Sequence, residues 1–152
     1  MDVAAKLAEL GLEVSAPAAP VGSYVPAVAA GGFAWTSGQL PVVDGALVYT
    51  GHVGAEVSPE QAYTAARIAA ANAMMALGTV VGTRKLKRVV RLVGYVASAP
   101  GFTGQPGVIN GASDLLIEAY GEAGKHARSA VGVAELPMGA PVEVELQVEF
   151  ED

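Results

Sequence analysis

The clearest pattern in the chain is an alternation of apolar and polar residues near its C-terminus. Over residues 142–150, valine, leucine and phenylalanine occupy every second position, and glutamate or glutamine occupies the positions between them. A period of two is typical of a β-strand with one face in a core and the other face exposed. The pattern therefore predicts a strand over 142–150, preceded by a shorter strand over 129–135.

Two other segments have the apolar spacing of amphipathic helices. The first begins at Ser58, an N-cap residue followed by Pro59 and by Gln61, the partner residue of a capping box. Alanine makes up most of its apolar face, which allows close approach to a sheet, and the helix should end near 78–82. The second helix is predicted over 107–121, where isoleucine, leucine and alanine form an apolar stripe.

The remaining segments complete an α+β pattern. Asp44-Gly45 predicts a β-hairpin turn, and a short helix is predicted over 2–13. The order of elements predicts a mixed sheet of roughly four to six strands with both long helices on one face. We expect one domain over 1–152, in which residues 1–20 form the N-terminal helix and its connector. Further extended segments are predicted over 24–29, 33–37 and 89–97.

The composition favours a domain that covers part of its surface with copies of itself. Charged residues make up 16% of the chain, whereas ordinary soluble domains contain roughly a quarter. We therefore expect a homo-oligomer. The net charge of −6 argues against nonspecific binding to nucleic acid by the domain as a whole.

The sequence also bears on compartment and membrane contact. The segment between Glu13 and Asp44 has no charged residue, but four prolines interrupt it, and a lipid-facing segment must satisfy its backbone within a helix. The chain has no cysteine, which excludes a disulfide or a thiolate metal site and agrees with a reducing compartment. The first residues lack a basic leader followed by an uncharged apolar region. We expect a cytoplasmic protein without membrane contact.

Arg128 and Glu143 are the most informative candidate site residues, and each has two interpretations. An arginine before an apolar strand is often a surface ion pair, but its guanidinium can also bind a substrate carboxylate through two parallel hydrogen bonds. Glu143 lies on the polar face of the last predicted strand. There it is either a solvated side chain or a group that positions a water molecule and moves its proton.

Other polar residues give weaker indications. His52 and His126 lack the spacing of metal ligands, so we expect no metal, and no GxGxxG or P-loop motif is present. His126 lies two residues from Arg128 and is either a residue that tunes its site or a solvated loop histidine. The basic cluster over 84–91 is either a solvated turn or an RNA contact, and it has no interleaved aromatic residue for base stacking.

Four motifs between residues 20 and 150 together resemble one protein family. Gly22-Ser23-Tyr24 is similar to a Gly-Pro-Tyr entrance motif, and Thr36-Ser37-Gly38-Gln39-Leu40-Pro41 matches a Thr-Ser-Gly-Gln-Ile/Leu-Pro signature. Asn110 stands at the head of the second helix, where the family has a site asparagine. The run over 128–137, continued by 142–145, matches its C-terminal signature. The family is that of the Rid proteins, the reactive intermediate deaminases, also called YjgF-like or endoribonuclease L-PSP proteins.

The resemblance implies a chorismate-mutase-like fold, a homotrimer, and clefts between its subunits. Family members hydrolyse reactive enamines and imines to 2-oxo acids and ammonia without a cofactor, which implies a hydrolase similar to 2-iminobutanoate/2-iminopropanoate deaminase. Arg128 would then bind the substrate carboxylate, and Glu143 would hold or activate the water. Tyr24 would cover the substrate from a neighbouring subunit. The pocket would be lined by Ser37, Gly38, Asn110 and Ala130, with Gly38 and Ala130 contributing backbone groups.

Two other functions stay open at this point. The same cleft could serve a non-catalytic protein that binds a small carboxylate metabolite. The ribonuclease activity attached to the family name would need a basic surface that continues from residues 84–91 toward the cleft, and the net acidity of the chain disfavours it.

Overall fold

A mixed five-stranded β-sheet forms the centre of the computed structural model, which describes residues 2–12, 19–20 and 22–151. Its strands lie in the order β1-β2-β7-β5-β6, and a separate hairpin consists of β3 and β4. Neighbouring strands are antiparallel except β5 and β6, which are parallel. In chain order the strands are β1 (Ala27–Ala30), β2 (Phe33–Thr36), β3 (Val42–Val43), β4 (Ala46–Leu47), β5 (Leu86–Ala97), β6 (Ala127–Val133) and β7 (Val142–Phe150).

Three α-helices accompany the sheet in the described part of the chain. They are α1 (Val3–Glu9), α2 (Pro59–Val81) and α3 (Gln105–Tyr120), and α3 connects the parallel strands β5 and β6. The predicted capping box of α2 is confirmed, because the Ser58 hydroxyl accepts from the Gln61 amide and the Gln61 side chain accepts from the Ser58 amide. The α+β fold with two long helices is confirmed as well.

The alanine-rich face of α2 packs closely against the sheet. Eight alanines of this helix are buried together with Met74, Leu77 and Val81, and the apolar residues of β7 are buried opposite them. By length and composition α2 could span a bilayer, but 56% of its most apolar window is buried inside the protein. Its small side chains let the helix axis come close to the strands, as the sequence indicates.

Glycines permit two further close contacts in the helical layer. A side chain at Gly111 of α3 would overlap the backbone carbonyl of Tyr63 in α2. A Cβ at Gly94 of β5 would lie 2.5 Å from the side chain of Ile109 in α3. The position of α3 on both α2 and the sheet therefore depends on two residues that lack a side chain.

The face of the sheet opposite the helices is mixed in character. Glu143, Glu145, Gln147 and Glu149 of β7 lie on it and are half-buried. Paired residues in a ladder share a face, and the register places three exposed apolar side chains beside these polar ones. They are Val28 (51% exposed), Trp35 (37%) and Val131 (44%).

The boundaries of several elements differ from those predicted. Strand β6 begins and ends two residues before the predicted 129–135, because its parallel pairing with β5 starts at Ala127. Strand β5 begins at Leu86, three residues before the predicted start, because its first residues pair with the end of β7. Helix α1 ends at Glu9 rather than residue 13, since Gly11 has a φ of +72°. Most of the predicted connector lies outside the described residues.

Substitution Gly111→Ala should destabilise the fold by roughly 1–3 kcal/mol, because the added methyl group overlaps backbone that cannot move without separating α2 from α3. Gly107→Ala in the same helix is the matched control, since no atom lies within 4 Å of its added Cβ. That control should leave the free energy of unfolding unchanged or raise it by up to about 1 kcal/mol. Urea unfolding of both variants checks the difference, and equal stabilities would contradict the close-contact interpretation.

Candidate functional site

Arg128 is held by three residues of α3. Its Nη1 donates to Asn110 Oδ1 at 2.8 Å and to Ser113 Oγ at 3.1 Å, and its Nη2 makes a longer contact of 3.4 Å with the Pro106 carbonyl. Strand β6 carries Arg128 on the helix-covered face, because Arg128 pairs with the buried Leu92 of β5. The structure therefore brings together two of the predicted site residues, Arg128 and Asn110.

The guanidinium of Arg128 keeps part of its hydrogen-bonding capacity for a ligand. Arginine has five N–H groups, of which both on Nη1 and one on Nη2 are directed at its own chain. Within residues 22–151 no partner lies on the remaining Nη2–H or on Nε–H. Two donors on one guanidinium are what a carboxylate binds best.

His126 joins this group through Ser113. Its Nε2 lies 2.9 Å from Ser113 Oγ, and its Nδ1 lies 2.6 Å from the Gly124 carbonyl oxygen. His126 is half-buried and Ser113 is buried, so of the two interpretations of His126 the structure favours a residue that contacts the Arg128 site over a solvated loop histidine. We call Asn110, Ser113, His126, Arg128 and Ala130 the arginine group. Ala130 is half-buried on the same face, paired with Gly94.

Glu143 lies on the other face of the sheet, beside Gly38. It pairs with Tyr95 of β5 and is half-buried. A side chain at Gly38 would overlap the Glu143 carboxylate. In the single chain, burial raises the pKa of the Glu143 carboxyl, and the neighbouring charge of Glu145 raises it further. A carboxylate with a raised pKa is a better proton acceptor near neutral pH.

Ser37 connects the Tyr24 segment to the strand that precedes Gly38. Its hydroxyl donates to the Val25 carbonyl at 2.6 Å, and its amide donates to the Pro26 carbonyl at 2.9 Å. The Tyr24 side chain, which is 51% exposed, therefore lies at one end of a segment that is fixed at its other end. We call Tyr24, Ser37, Gly38 and Glu143 the glutamate group.

Backbone and side-chain hydrogen bonds hold the loop after Gly38 in place. Gln39 exchanges two backbone hydrogen bonds with Val144, of 2.8 and 3.0 Å, which fixes Gly38 beside Glu143. The side chain of Asn72 in α2 donates to the carbonyls of Leu40 and Val42 at 2.9 and 3.0 Å. Sequence reasoning missed Asn72, although a single amide within a run of alanines indicates a polar contact in an otherwise apolar layer.

The arginine group and the glutamate group lie on opposite faces of the sheet within one chain. Arg128 shares its face with Leu92, whereas Glu143 shares its face with Tyr95 and Val131. No hydrogen bond or ion pair between residues 22 and 151 joins Arg128 to Glu143. The predicted site residues therefore form two separate clusters in a single chain.

Sequence reasoning also missed Ser113. It stands three residues after Asn110 on α3, a spacing that places both side chains on one side of a helix. The carbonyls of Pro106 and Gly124, which complete the arginine group, carry no side-chain pattern and could not be found in this way.

His52 takes part in a loop contact away from both groups. Its Nε2 lies 2.9 Å from the Ala134 carbonyl and 3.1 Å from Glu135 Oε1. The Ala134 hydrogen bond raises the pKa of His52, and the charge of Glu135 adds to the effect. In the parts of the chain that the structure describes, no three His, Asp or Glu side chains are grouped to hold a metal ion.

The basic cluster over 84–91 is largely engaged with its own chain. Arg84 donates to the Val80 and Val81 carbonyls at the end of α2, and its guanidinium carbon lies 4.2 Å from the centre of the Phe150 ring. Lys87 forms an ion pair of 2.7 Å with Glu149, and Lys85 lies 3.8 Å from Glu151. From Leu86 onward the cluster lies on β5 rather than in a turn. The contacts of Arg84, Lys85 and Lys87 with their own chain do not favour a continuous basic surface.

Comparison with known proteins gives consistent matches over nearly the whole chain. A family model described as "YjgF/chorismate mutase-like, putative endoribonuclease" matches residues 4–150. Protein TCP17 of Trypanosoma cruzi is 45% identical over 150 residues, which are 97% of this chain and 94% of that protein.

Two crystal structures share both sequence and fold with this chain. Protein Atu1372 of Agrobacterium tumefaciens is 39% identical with a TM-score of 0.89, over 99% of this chain and 94% of that one. A "putative endoribonuclease" from Shewanella oneidensis is 33% identical with a TM-score of 0.89, over 97% of this chain and 98% of that one.

Gly38→Ala should displace the Glu143 carboxylate while leaving the fold intact. The added methyl group meets the end of a flexible side chain rather than backbone, so the free energy of unfolding should change by less than about 1 kcal/mol. The ¹³C shift of the Glu143 carboxyl should move in NMR spectra, and thermal unfolding gives the stability. An unmoved Glu143 signal would contradict the close approach of Gly38 and Glu143.

Proposed function

We propose a function on the premise that this chain belongs to the YjgF/chorismate mutase-like family, whose model matches residues 4–150. The proposed function is hydrolytic deamination of reactive enamines and imines that carry a carboxylate, to give 2-oxo acids and ammonia. The observation that carries the proposal is Arg128, whose guanidinium is held by three contacts and keeps two N–H donors for a ligand. Such a group suits the carboxylate of the substrate.

The proposed reaction needs only a positioned water and a group that moves a proton. An enamine first tautomerises to the imine, whose carbon is electrophilic, especially when its nitrogen is protonated. Water adds to that carbon: a C–O bond forms, the π electrons of the C=N bond move to the nitrogen, and Glu143 accepts the proton that the water loses. Glu143 then returns this proton to the nitrogen of the carbinolamine. The C–N bond breaks and ammonia leaves, while the hydroxyl oxygen forms the C=O bond of the 2-oxo acid and loses its own proton. No electrons change hands, so the reaction does not call for a redox cofactor.

We place this reaction between two chains of a homotrimer. Support comes from the separation of the arginine group and the glutamate group onto opposite faces of the sheet. A site that uses both groups requires the arginine group of one chain and the glutamate group of another. The exposed side chains of Val28, Trp35 and Val131 on the uncovered face give neighbouring chains an apolar surface to bury.

The raised pKa of Glu143 also agrees with such an arrangement. In the single chain the carboxylate is partly desolvated and lies near Glu145. A guanidinium from another chain would offset the electrostatic repulsion between the carboxylates of Glu143 and Glu145. Tyr24, exposed at the end of its fixed segment, would then cover the substrate across the same boundary.

Ribonuclease activity is a weaker proposal, although the Shewanella oneidensis relative is described as a "putative endoribonuclease". Three of the basic residues over 84–91 are engaged with helix carbonyls, an aromatic ring or glutamates of the same chain. A non-catalytic carboxylate-binding protein would use Arg128 in the same way, and only turnover separates it from the deaminase.

The deaminase proposal predicts that the wild-type protein competes with a chemical trap for imines. An amino-acid oxidase would generate 2-imino acids in the presence of semicarbazide, and wild type should lower the yield of semicarbazone. Arg128→Ala should reduce kcat/KM by roughly 10- to 100-fold, because a charged hydrogen-bonding partner of the carboxylate is lost. Arg128→Lys is the matched control for charge, and it should restore activity only partly because lysine lacks the planar fork.

An imine without a carboxylate, made by an amine oxidase, provides the substrate control. The kcat/KM for this imine should be the same in wild type and in Arg128→Ala. If wild type fails to compete with semicarbazide for apolar, polar and acidic imines but still binds 2-oxo acids, the non-catalytic binding function replaces the deaminase.

The shared site predicts complementation between two inactive variants. Arg128→Ala and Glu143→Gln chains, coexpressed with different tags and purified as mixed assemblies, should regain about a third of wild-type activity. In a mixed trimer, whichever variant is in excess, about one boundary in three brings an intact arginine group beside an intact glutamate group. The double variant Arg128→Ala/Glu143→Gln coexpressed with either single variant is the control and should recover nothing. Absence of recovery in the first mixture would show that the site lies within one chain.

A further inference from the structure

We propose that Ser113 and His126 are positioning residues, which fix the orientation of the Arg128 guanidinium so that its two remaining donors face the substrate carboxylate. The inference rests on the proposed carboxylate-binding role of Arg128. It adds two residues that would not touch the substrate and would act through Arg128 alone.

The contacts form a chain of hydrogen bonds whose directions follow from its two ends when His126 is neutral. An arginine N–H can only donate and a backbone carbonyl can only accept. Ser113 Oγ therefore accepts from Arg128 Nη1 at 3.1 Å, and the Gly124 carbonyl accepts from His126 Nδ1 at 2.6 Å. The hydroxyl hydrogen of Ser113 is then free to be donated to His126 Nε2, 2.9 Å away. This arrangement requires neutral His126 to carry its proton on Nδ1.

Ser113 and Gly124, the two residues that His126 connects, both belong to rigid parts of the fold. Ser113 is buried on α3, which is held against α2 at Gly111. Gly124 is buried, and a side chain there would overlap the Leu116 carbonyl at the end of the same helix. His126 thus connects the C-terminal end of α3 to Ser113, in the middle of that helix. With its hydrogen directed at His126, the Ser113 hydroxyl has its oxygen available to accept from Arg128.

The role of these linked hydrogen bonds follows from the flexibility of the arginine side chain. A free arginine side chain loses up to about 2 kcal/mol of rotamer entropy when it is fixed, and a ligand that has to fix it binds more weakly by that loss. In this structure Asn110 and Ser113 both accept from Nη1. Two acceptors on one nitrogen slow rotation about the Cζ–Nη1 bond and restrict the orientation of the guanidinium plane, which contains Nε and Nη2.

The first test measures the hydrogen bonds themselves and needs no activity. Long-range ¹H–¹⁵N NMR of the full chain should show neutral His126 as the Nδ1–H tautomer. Rotation about the Cζ–Nη1 bond of Arg128, read from its guanidinium ¹⁵N signals, should be slow in wild type and faster in Ser113→Ala and His126→Ala. His52→Ala is the matched control and should leave the Arg128 signals unchanged. An Nε2–H tautomer, or equal rotation rates in all variants, would overturn the proposal.

The second test separates positioning from chemistry. Ser113→Ala and His126→Ala should each raise KM for carboxylate-bearing imines by about three- to tenfold, as expected for one lost hydrogen bond, with kcat changed less than about twofold. The KM for a carboxylate-free imine should not change. His126→Gln should restore much of the loss, because its side-chain oxygen can accept from Ser113 in place of Nε2.

The two tests can decide the positioning role even if the proposed deaminase function is wrong. If wild type shows no deaminase activity, binding of 2-oxobutanoate, measured calorimetrically, replaces KM, and the NMR results still decide the positioning role. A fall in kcat without a change in KM, or equal losses on imines with and without a carboxylate, would contradict it. Thermal unfolding of each variant identifies any loss that comes from misfolding, and His126→Gln gives a folded comparison.

Discussion

A β-sheet has two faces, and covering only one of them determines most of what this protein can do. The small side chains of α2 and the bare backbone of Gly111 let both long helices lie on the same face of the sheet. Arg128 is held from that helical layer, at the edge strand β6. Glu143 lies on the uncovered face, beside Gly38. The partition of these residues is therefore a consequence of how the layers pack, and it is the reason for proposing that a second copy of the chain completes a site that combines them.

The elements with strong local patterns could be predicted from the sequence. The period of two in β7 specified both its length and its buried face, and the capping box specified the start of α2. The mixed character of the sheet could be expected from the order of elements. The boundaries of β6 could not, because they depend on pairing with β5, whose register is set by contacts between distant parts of the chain.

The residues of the candidate site likewise fall into those that local patterns predict and those that depend on distant contacts. The motifs identified Arg128, Ser37 and Glu143, because each belongs to a short run of characteristic residues, and the position of Asn110 at the head of a helix identified that residue. They did not identify Ser113 or Asn72, whose partners lie 15 to 32 positions away. For His126 the sequence left two interpretations open. The assignment of Arg128 and Glu143 to opposite faces also needed the register of three strands. Directions of hydrogen bonds, unlike residue types, become known only when the partners are in place.

The alanine face of α2 has a further consequence for how the protein can vary. In most core helices a leucine can give way to methionine or isoleucine with modest repacking, because several side chains have similar volumes. Alanine has only glycine below it in size, and glycine weakens a helix. Larger residues would push the helix away from the sheet, and with it α3 and the residues that hold Arg128. The buried face of α2, which carries none of the candidate site residues, therefore accepts few replacements, and sequence drift in this protein should be concentrated outside it.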